Sequence, residues 1–270
     1  MVAEAAHKEF GATVNRHAGK GNWHQLVISG NGNRWWPAGV NLWLRELGIF
    51  GQRSHEKRIP QSAFRLGDEQ IATLLSHLWA TDGTISMRKP GQRGSHSIHF
   101  STCSRGLASD VAALLLRLGI VARVQTVRTT GQHPTHMVWV HGVEGQKRFL
   151  LQVGGFGPRQ LPAKKLAEAL EDVVANTNVD TMPHESFERV RMLMKKVGIS
   201  QRRMAALRGT SYGGTSHFRF SPSRPLLKEY AEILDDDVLR QECENELFWD
   251  RVLSVEPVGE AQVYDLTVPG

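Results

Sequence analysis

The chain has 270 residues, 40% of them hydrophobic and 22% charged, with a formal net charge of +6. That profile excludes a disordered chain and gives enough length for one or two ordinary domains with a buried core. The longest apolar run, residues 111–124, is interrupted by Arg117 and Arg123, and the two cysteines, Cys103 and Cys243, are far apart; this argues against a membrane span, a disulfide framework and a cysteine metal pattern. No basic and apolar leader opens the chain, so a cytoplasmic protein without membrane contact is expected. The charge is unevenly spread: residues 1–228 carry a net +16 and residues 229–270 a net −10. A folded body that basic implies a polyanionic partner, of which nucleic acid is the commonest.

From the N-terminus, "VAEAAHKEFG" reads as an amphipathic helix stopped by Gly11, followed by a β-rich segment with Arg16 and a second alternating run, "WHQLVISG". "VNLWLRELGIFG" is another apolar helix, and "KRIP" (Lys57–Pro60) ends the segment. Over residues 68–82, Ile71, Leu74, Leu75, Leu78 and Trp79 recur at helical spacing, and Gly83 is expected to stop the helix in the left-handed conformation. Asp82 then falls in the last turn, facing the partial negative charge of the helix C-terminus. A divalent cation would reverse that penalty, and hard cations accept carboxylate, phosphate and water oxygens.

Two strands ("GTISMR", "HSIHFSTC"), a helix over about 105–118, two further strands ("ARVQTVR", "HMVWVHG") and an apolar helix from Glu144 follow. The run from Val111 repeats the run from Val2: helix, glycine (Gly119 for Gly11), arginine-bearing strand (Arg123 for Arg16), second strand and apolar helix. "RQLP" at Arg159–Pro162 then answers "KRIP". Gly11 to Pro60 is 49 residues and Gly119 to Pro162 is 43, which points to a duplicated unit. The expected fold is α+β, two αββαββα units with the first lacking its leading helix and two strands.

Beyond Pro162 the pattern is helical. "SFERVRMLMKKVG" and "SQRRMAALRG", with Ser200 as N-cap, have helix-turn-helix spacing with Arg202, Arg203 and Arg208 on or beside them. The acidic stretch 226–247 reads as helix and the remainder as two β-like runs. Four segments are therefore expected: 1–60, 61–165, 166–228 and 229–270. Alternation in "GTISMRK" sets Ser86 and Arg88 apart from Ile85 and Met87, and "ARVQTVR" puts Arg123 and Gln125 together, as groove-reading strands would. Lys89, Arg93 and Arg128 are expected to meet phosphates. The twelve histidines show no zinc pattern, and His133 and His136 are expected in a loop and at a strand edge.

"LSHLWATDG", Leu75 to Gly83, resembles the LAGLIDADG motif, with Leu75, Leu78, Asp82 and Gly83 matching. Together with the repeat and "KRIP", residues 1–165 resemble the two-repeat, DOD-type homing endonucleases carried in inteins, for which replicative DNA helicases are frequent hosts. The resemblance implies two motif helices packed side by side, their terminal acidic residues binding Mg2+ or another divalent cation, and β-sheets forming a saddle over double-stranded DNA. The implied reaction is metal-dependent hydrolysis of phosphodiester bonds at a long specific site. Asp82 would be the catalytic metal ligand, with Lys57 and Arg159 as basic catalytic residues. His77 departs from the motif, which favours a small residue there. No first motif precedes Met1, so a truncated product with impaired cleavage is expected. "VYDLTVPG" from Val263 resembles the β-segment before the terminal His-Asn of inteins, which makes Asp265 a splicing-related residue; the nucleophiles of splicing are not seen. The rival expectations are a non-catalytic DNA-binding remnant or regulator, and a partial protein-splicing element.

Overall fold

The computed structural model describes residues 2–21, 24–89, 91, 96–131, 133–174, 180–245, 247–250, 252, 254–257 and 259–263. They divide between two units, residues 1–175 and 176–270, and each buries a hydrophobic core of its own.

The first unit opens with α1 (Val2–Phe10), β1 (Val14–Ala18), β2 (His24–Ile28) and α2 (Gly39–Glu46). It continues with α3 (Asp68–Asp82), β3 (Gly83–Ser86), β4 (Ser97–Thr102), α4 (Arg105–Arg117), β5 (Ala122–Val127), β6 (Thr135–Val140), α5 (Val143–Gln152) and α6 (Gln160–Leu170). β1 and β2 pair with each other, and the other four strands form an antiparallel sheet of order β3-β4-β6-β5. The architecture is thus α+β with antiparallel sheets, as the periodicity implies.

The i, i+4, i+8 spacing of Ile71, Leu75 and Trp79 places them on one stripe of α3. All three are fully buried, in one core with Ile98 and Phe100 of β4, Val138 and Val140 of β6, Leu114 of α4 and Phe149 of α5. The Trp79 ring lies 4.8 Å from that of Phe149 and 5.5 Å from that of Phe100. Leu74 and Leu78 are half-buried at the margin of the same core, so Leu74 and the motif leucines Leu75 and Leu78 serve the unit's own interior.

Gly83 differs from the sequence expectation. Its dihedrals (φ −90°, ψ 158°) are extended, and the chain passes straight from α3 into β3. Glycine is needed for space: a Cβ there would lie 2.4 Å from the Trp79 ring and 2.5 Å from the Trp79 Cα. His136 is also placed differently. The strand order makes β6 internal, and His136 is buried with its Nδ1 3.0 Å from the Thr126 hydroxyl.

The second unit contains α7 (Ser186–Lys196), α8 (Gln201–Leu207), α9 (Arg224–Leu234) and α10 (Asp237–Glu244). Ser200 is the N-cap of α8, its Oγ accepting the Arg203 N–H at 3.2 Å, after a turn in which Gly198 takes φ +70°. The acidic stretch is two helices rather than one. Asp235 turns left-handed (φ 48°), and Asp236 caps α10 by accepting the Leu239 N–H at 2.9 Å. Described residues 247–263 lie outside any strand, unlike the β-like runs expected there, and residues 264–270, with Asp265, fall outside the described residues. Arg224, at the start of α9, donates to Asp180 Oδ2 at 2.7 Å and to the carbonyls of Cys243 (3.0 Å), Asn245 (2.9 Å) and Leu247.

Asp236 also takes both Arg189 Nε and Nη2 at 3.0 Å. That hydrogen-bonded guanidinium, aided by the Leu239 N–H, holds its carboxyl below the usual value of 3.8. A depressed carboxyl stabilises the fold above its unfolded value and loses that contribution as pH falls through its folded value. Asp236→Ala is therefore expected to lower unfolding free energy at neutral pH by about 1 kcal/mol through the cap alone. In urea titrations the gap between variant and parent should narrow progressively as pH falls below the usual carboxyl value of 3.8.

Candidate nucleic-acid interface and its carboxylate

Strand alternation gives the four-stranded sheet two unlike faces. Ile85, Ile98, Phe100, Val138 and Val140 point into the core. The register puts Thr84 opposite His99, His99 opposite Trp139 and Trp139 opposite Arg123, a row crossing all four strands on the other face. Ser86 pairs with Ser97, and Gln125 pairs with Met137, on that same face. Ser86, on one edge strand, and Arg123 and Gln125, on the other, thus share one face of the sheet.

The row has an aromatic centre that sequence reading passed over. The His99 and Trp139 rings are 4.3 Å apart, and His141 stacks on Trp139 at 5.8 Å. Burial lowers the pKa of both histidines from 6.5, with Arg159 adding to the effect at His99 and Arg123 at His141. Arg159, half-buried, therefore stands near one end of this ladder and Arg123 near the other. The period-two pattern of "HSIHFST" and "HMVWVHG" already sets Ser97, His99 and Ser101, and Met137, Trp139 and His141, on one face; pairing the two runs was the missing step.

Asp82 is the last residue of α3 and is exposed. No hydrogen bond or ion pair among the described residues engages its carboxylate, and no group of three or more His, Cys, Asp or Glu is arranged there to hold a metal. A cation at Asp82 would complete its shell with phosphate oxygens, water and the free carbonyls of the helix end. Hard cations accept that donor set, so the residues present fit such an ion.

Lys57 is exposed in an extended segment, and its neighbours are fastened to α4. Asp110, 5% exposed, accepts Arg58 Nε at 2.7 Å, Arg58 Nη2 at 2.8 Å and the Ile59 N–H at 2.9 Å. Ser104, the N-cap of α4, donates its hydroxyl to the Lys57 carbonyl at 2.7 Å. Arg159 is held otherwise: Gly157-Pro158-Arg159 form a 3-10 turn that runs into α6. Proline presets helical φ at that turn, so "RQLP" and "KRIP" take different conformations although they match in sequence.

The remaining basic residues scatter. Arg88 and Lys89 are exposed just beyond β3, where the Arg88 N–H donates to His96 Nδ1 at 3.1 Å. Arg93 lies outside the described residues. Arg128 lines an open polar groove with Arg105, Ser109, Thr126 and His136, on the sheet face opposite Arg123 and Gln125. In the second unit Arg202 and Arg203 are exposed. The Arg208 side chain is only 8% exposed: it pairs with Glu229 at 2.9 Å and lies 4.8 Å over the Tyr230 ring, which commits it to internal packing.

Comparison with known proteins bears on part of the first unit. Residues 69–154, from α3 to α5, match the family model of a LAGLIDADG-like domain. The chain is 40% identical over 282 aligned residues to the replicative DNA helicase DnaB of Rhodothermus marinus, the match taking in all of this chain and 29% of that protein. It is 33% identical over 271 residues to DnaB of a Nostoc species, covering 98% of this chain and 31% of the relative. Protein RecA of Mycobacterium tuberculosis is 25% identical over 256 residues, 85% of this chain and 32% of its own. The chain thus spans less than a third of each relative, a pattern consistent with a homing endonuclease encoded in a DnaB intein. Among the described residues, no helix is long and apolar enough to cross a membrane.

Proposed function

We propose that this chain is the endonuclease-bearing part of an intein, binding double-stranded DNA across the open face of its four-stranded sheet and hydrolysing a phosphodiester at Asp82. One observation carries the reading: the motif helix delivers an exposed, unpartnered carboxylate directly to β3, the edge strand of a sheet whose free face bears Ser86, Arg123, Gln125 and the His99–Trp139–His141 ladder. A Mg2+ ion bound there would polarise the phosphate and stabilise charge developing on its oxygens. Asp82 would hold the ion, Lys57 and Arg159 would face the same phosphates, and the sheet would fix the strand in register. Correspondence of one segment with parts of both a replicative DNA helicase and protein RecA suits an element carried inside different hosts.

The element order supports a duplicated αββαββα plan. α1, β1, β2 and α2 follow one another as α4, β5, β6 and α5 do, and each first helix is followed by a glycine with positive φ, Gly11 at 61° and Gly119 at 67°. Two strands need two carboxylates, and the described residues present one motif helix. Unaided, this chain is therefore expected to cut one strand or to cut poorly. The second unit would add phosphate contacts through Arg202 and Arg203. Residues 61–165 would be the catalytic segment, 1–60 its partial copy, 166–228 the helix-turn-helix-like segment and 229–270 the approach to the splicing region.

A non-catalytic DNA-binding reading draws support from His77. Its ring packs 4.4 Å from Phe156 and occupies the place where the motif favours a small side chain. Binding and nicking of a mixed-sequence duplex, with and without Mg2+, separate the two readings. The endonuclease reading expects metal-dependent nicking, and its rival expects binding alone.

The same titration carries a pH prediction. A histidine whose folded pKa is depressed stabilises the free protein above the unfolded value near 6.5 and loses that contribution as pH falls. Phosphates facing His99 and His141 would instead favour their charged forms. Duplex affinity is thus expected to rise about tenfold from about pH 7.5 to about pH 5.5, as added phosphate contacts would give. His99→Gln with His141→Gln should flatten the profile; an unaltered slope in that double variant would remove the ladder from the interface.

A further inference from the structure

We infer that Ser104, Gly106 and Asp110, on and before the first turns of α4, are positioning residues for Lys57, an inference that rests on the phosphate-facing role proposed above. A lysine side chain has four rotatable bonds and reaches a fixed point only if its main chain is fixed. The main chain is held at the Lys57 carbonyl and again two residues later. The Ser104 hydroxyl donates to the Lys57 carbonyl at 2.7 Å, while its Oγ accepts the Leu107 N–H at 3.1 Å, so a single atom caps the helix and grips the loop. Two residues on, the Ile59 N–H donates to Asp110 at 2.9 Å.

The chemistry of α4 argues that holding this loop is a purpose rather than a by-product. Asp110 is buried in a helix otherwise filled there by Leu107, Ala108, Val111 and Leu114. An apolar residue at that place would serve the core without the desolvation cost of a carboxylate. Every bond that the Asp110 carboxylate makes goes to Arg58 or Ile59, the two residues that follow Lys57. Gly106 lies inside α4, where glycine is a poor helix former. A Cβ there would sit 2.4 Å from Arg58 Cδ and 2.9 Å from Arg58 Nε, so the missing side chain is the channel in which Arg58 lies. Three features of α4 converge on residues 57–59, whose two basic side chains are Arg58, bonded to Asp110, and Lys57, which is exposed.

The test is the acetylation rate of Lys57 in the full chain, read by mass spectrometry with and without a mixed-sequence DNA duplex, with Lys164 as reference. In the parent chain the duplex is expected to slow Lys57 acetylation at least about fivefold. Gly106→Ala favours the helix and displaces Arg58. Because Asp110 loses its guanidinium partner the thermal midpoint should fall, but the variant should stay folded and bind the duplex within about threefold of the parent, since one lysine is one phosphate contact among many, yet lose the protection of Lys57. Ser104→Ala and Asp110→Asn should lose it as well. Protection of Lys57 in Gly106→Ala equal to the parent would overturn the positioning role and leave the interface reading standing. A parent Lys57 that DNA does not protect would overturn both. Loss of protection together with loss of all duplex binding in Gly106→Ala would count against positioning, because it marks a general structural role.

Discussion

Replacing Asp82 with asparagine is expected to abolish metal-dependent strand cleavage, by about a thousandfold or more, while duplex binding stays equal or tightens. The substitution keeps shape and removes one negative charge from a helix end that already carries partial negative charge. A bound cation contributes several kcal/mol to stabilising charge on a phosphoryl group, and about 1.4 kcal/mol is a factor of ten. Losing the carboxylate that anchors it therefore costs at least three decades. Binding moves the other way, because Asp82 is exposed without a partner among the described residues and would repel phosphate when no cation intervenes. Helix stability should not suffer, since no described contact depends on the carboxylate. The measurement is nicking of supercoiled DNA over a Mg2+ series alongside anisotropy in metal-free buffer. Equal nicking by the variant would sink the proposed role of Asp82, and weaker metal-free binding would show the carboxylate to be structural.

Trp79→Ala is expected to cost the first unit about 3–5 kcal/mol, the range for truncating a fully buried large aromatic residue. Trp79 is 0% exposed and in contact with Phe100 and Phe149, so its removal separates α3 from both β4 and α5. Stabilities of whole domains are about 5–15 kcal/mol, so this change alone brings the unit near the unfolding threshold. Gly83→Ala is the companion test. Its added methyl meets the Trp79 ring and Cα at 2.4–2.5 Å, and overpacking of that kind costs about 1–3 kcal/mol. Urea denaturation followed by tryptophan-independent circular dichroism measures both. A Gly83→Ala chain as stable as the parent would show that the close approach is relieved without strain.

The sequence made the first unit legible from Asp68 to Gln152, because each element there has an unmixed period. Ile71, Leu75 and Trp79 announce a helix, and Ile98 and Phe100 announce a strand. The place of Asp82 at the end of α3 was legible from periodicity, and its candidacy rests on electrostatics, a carboxylate at the unfavourable end of a helix. What stayed hidden depended on contacts between distant segments. Nothing local to Asp110 says that it will bind Arg58, 52 residues away, and nothing local to His136 says that β6 will lie between β4 and β5. Gly83 was read as a helix stop because glycine there ordinarily supplies positive φ; the cause was a tryptophan one turn back. Arg208 looked like an exposed base on a recognition helix, and only the return of α9 with Glu229 and Tyr230 took it inward.

The Arg224 side chain touches both ends of the helical part of the second unit. It grips Asp180, ahead of α7, and the carbonyls of Cys243, Asn245 and Leu247, in and after the last turn of α10, while Thr181 and Ser223 bridge beside it. One guanidinium thus buttons residue 180 to residues 243–247, so the helices between them form a closed loop of chain whose two ends are neighbours.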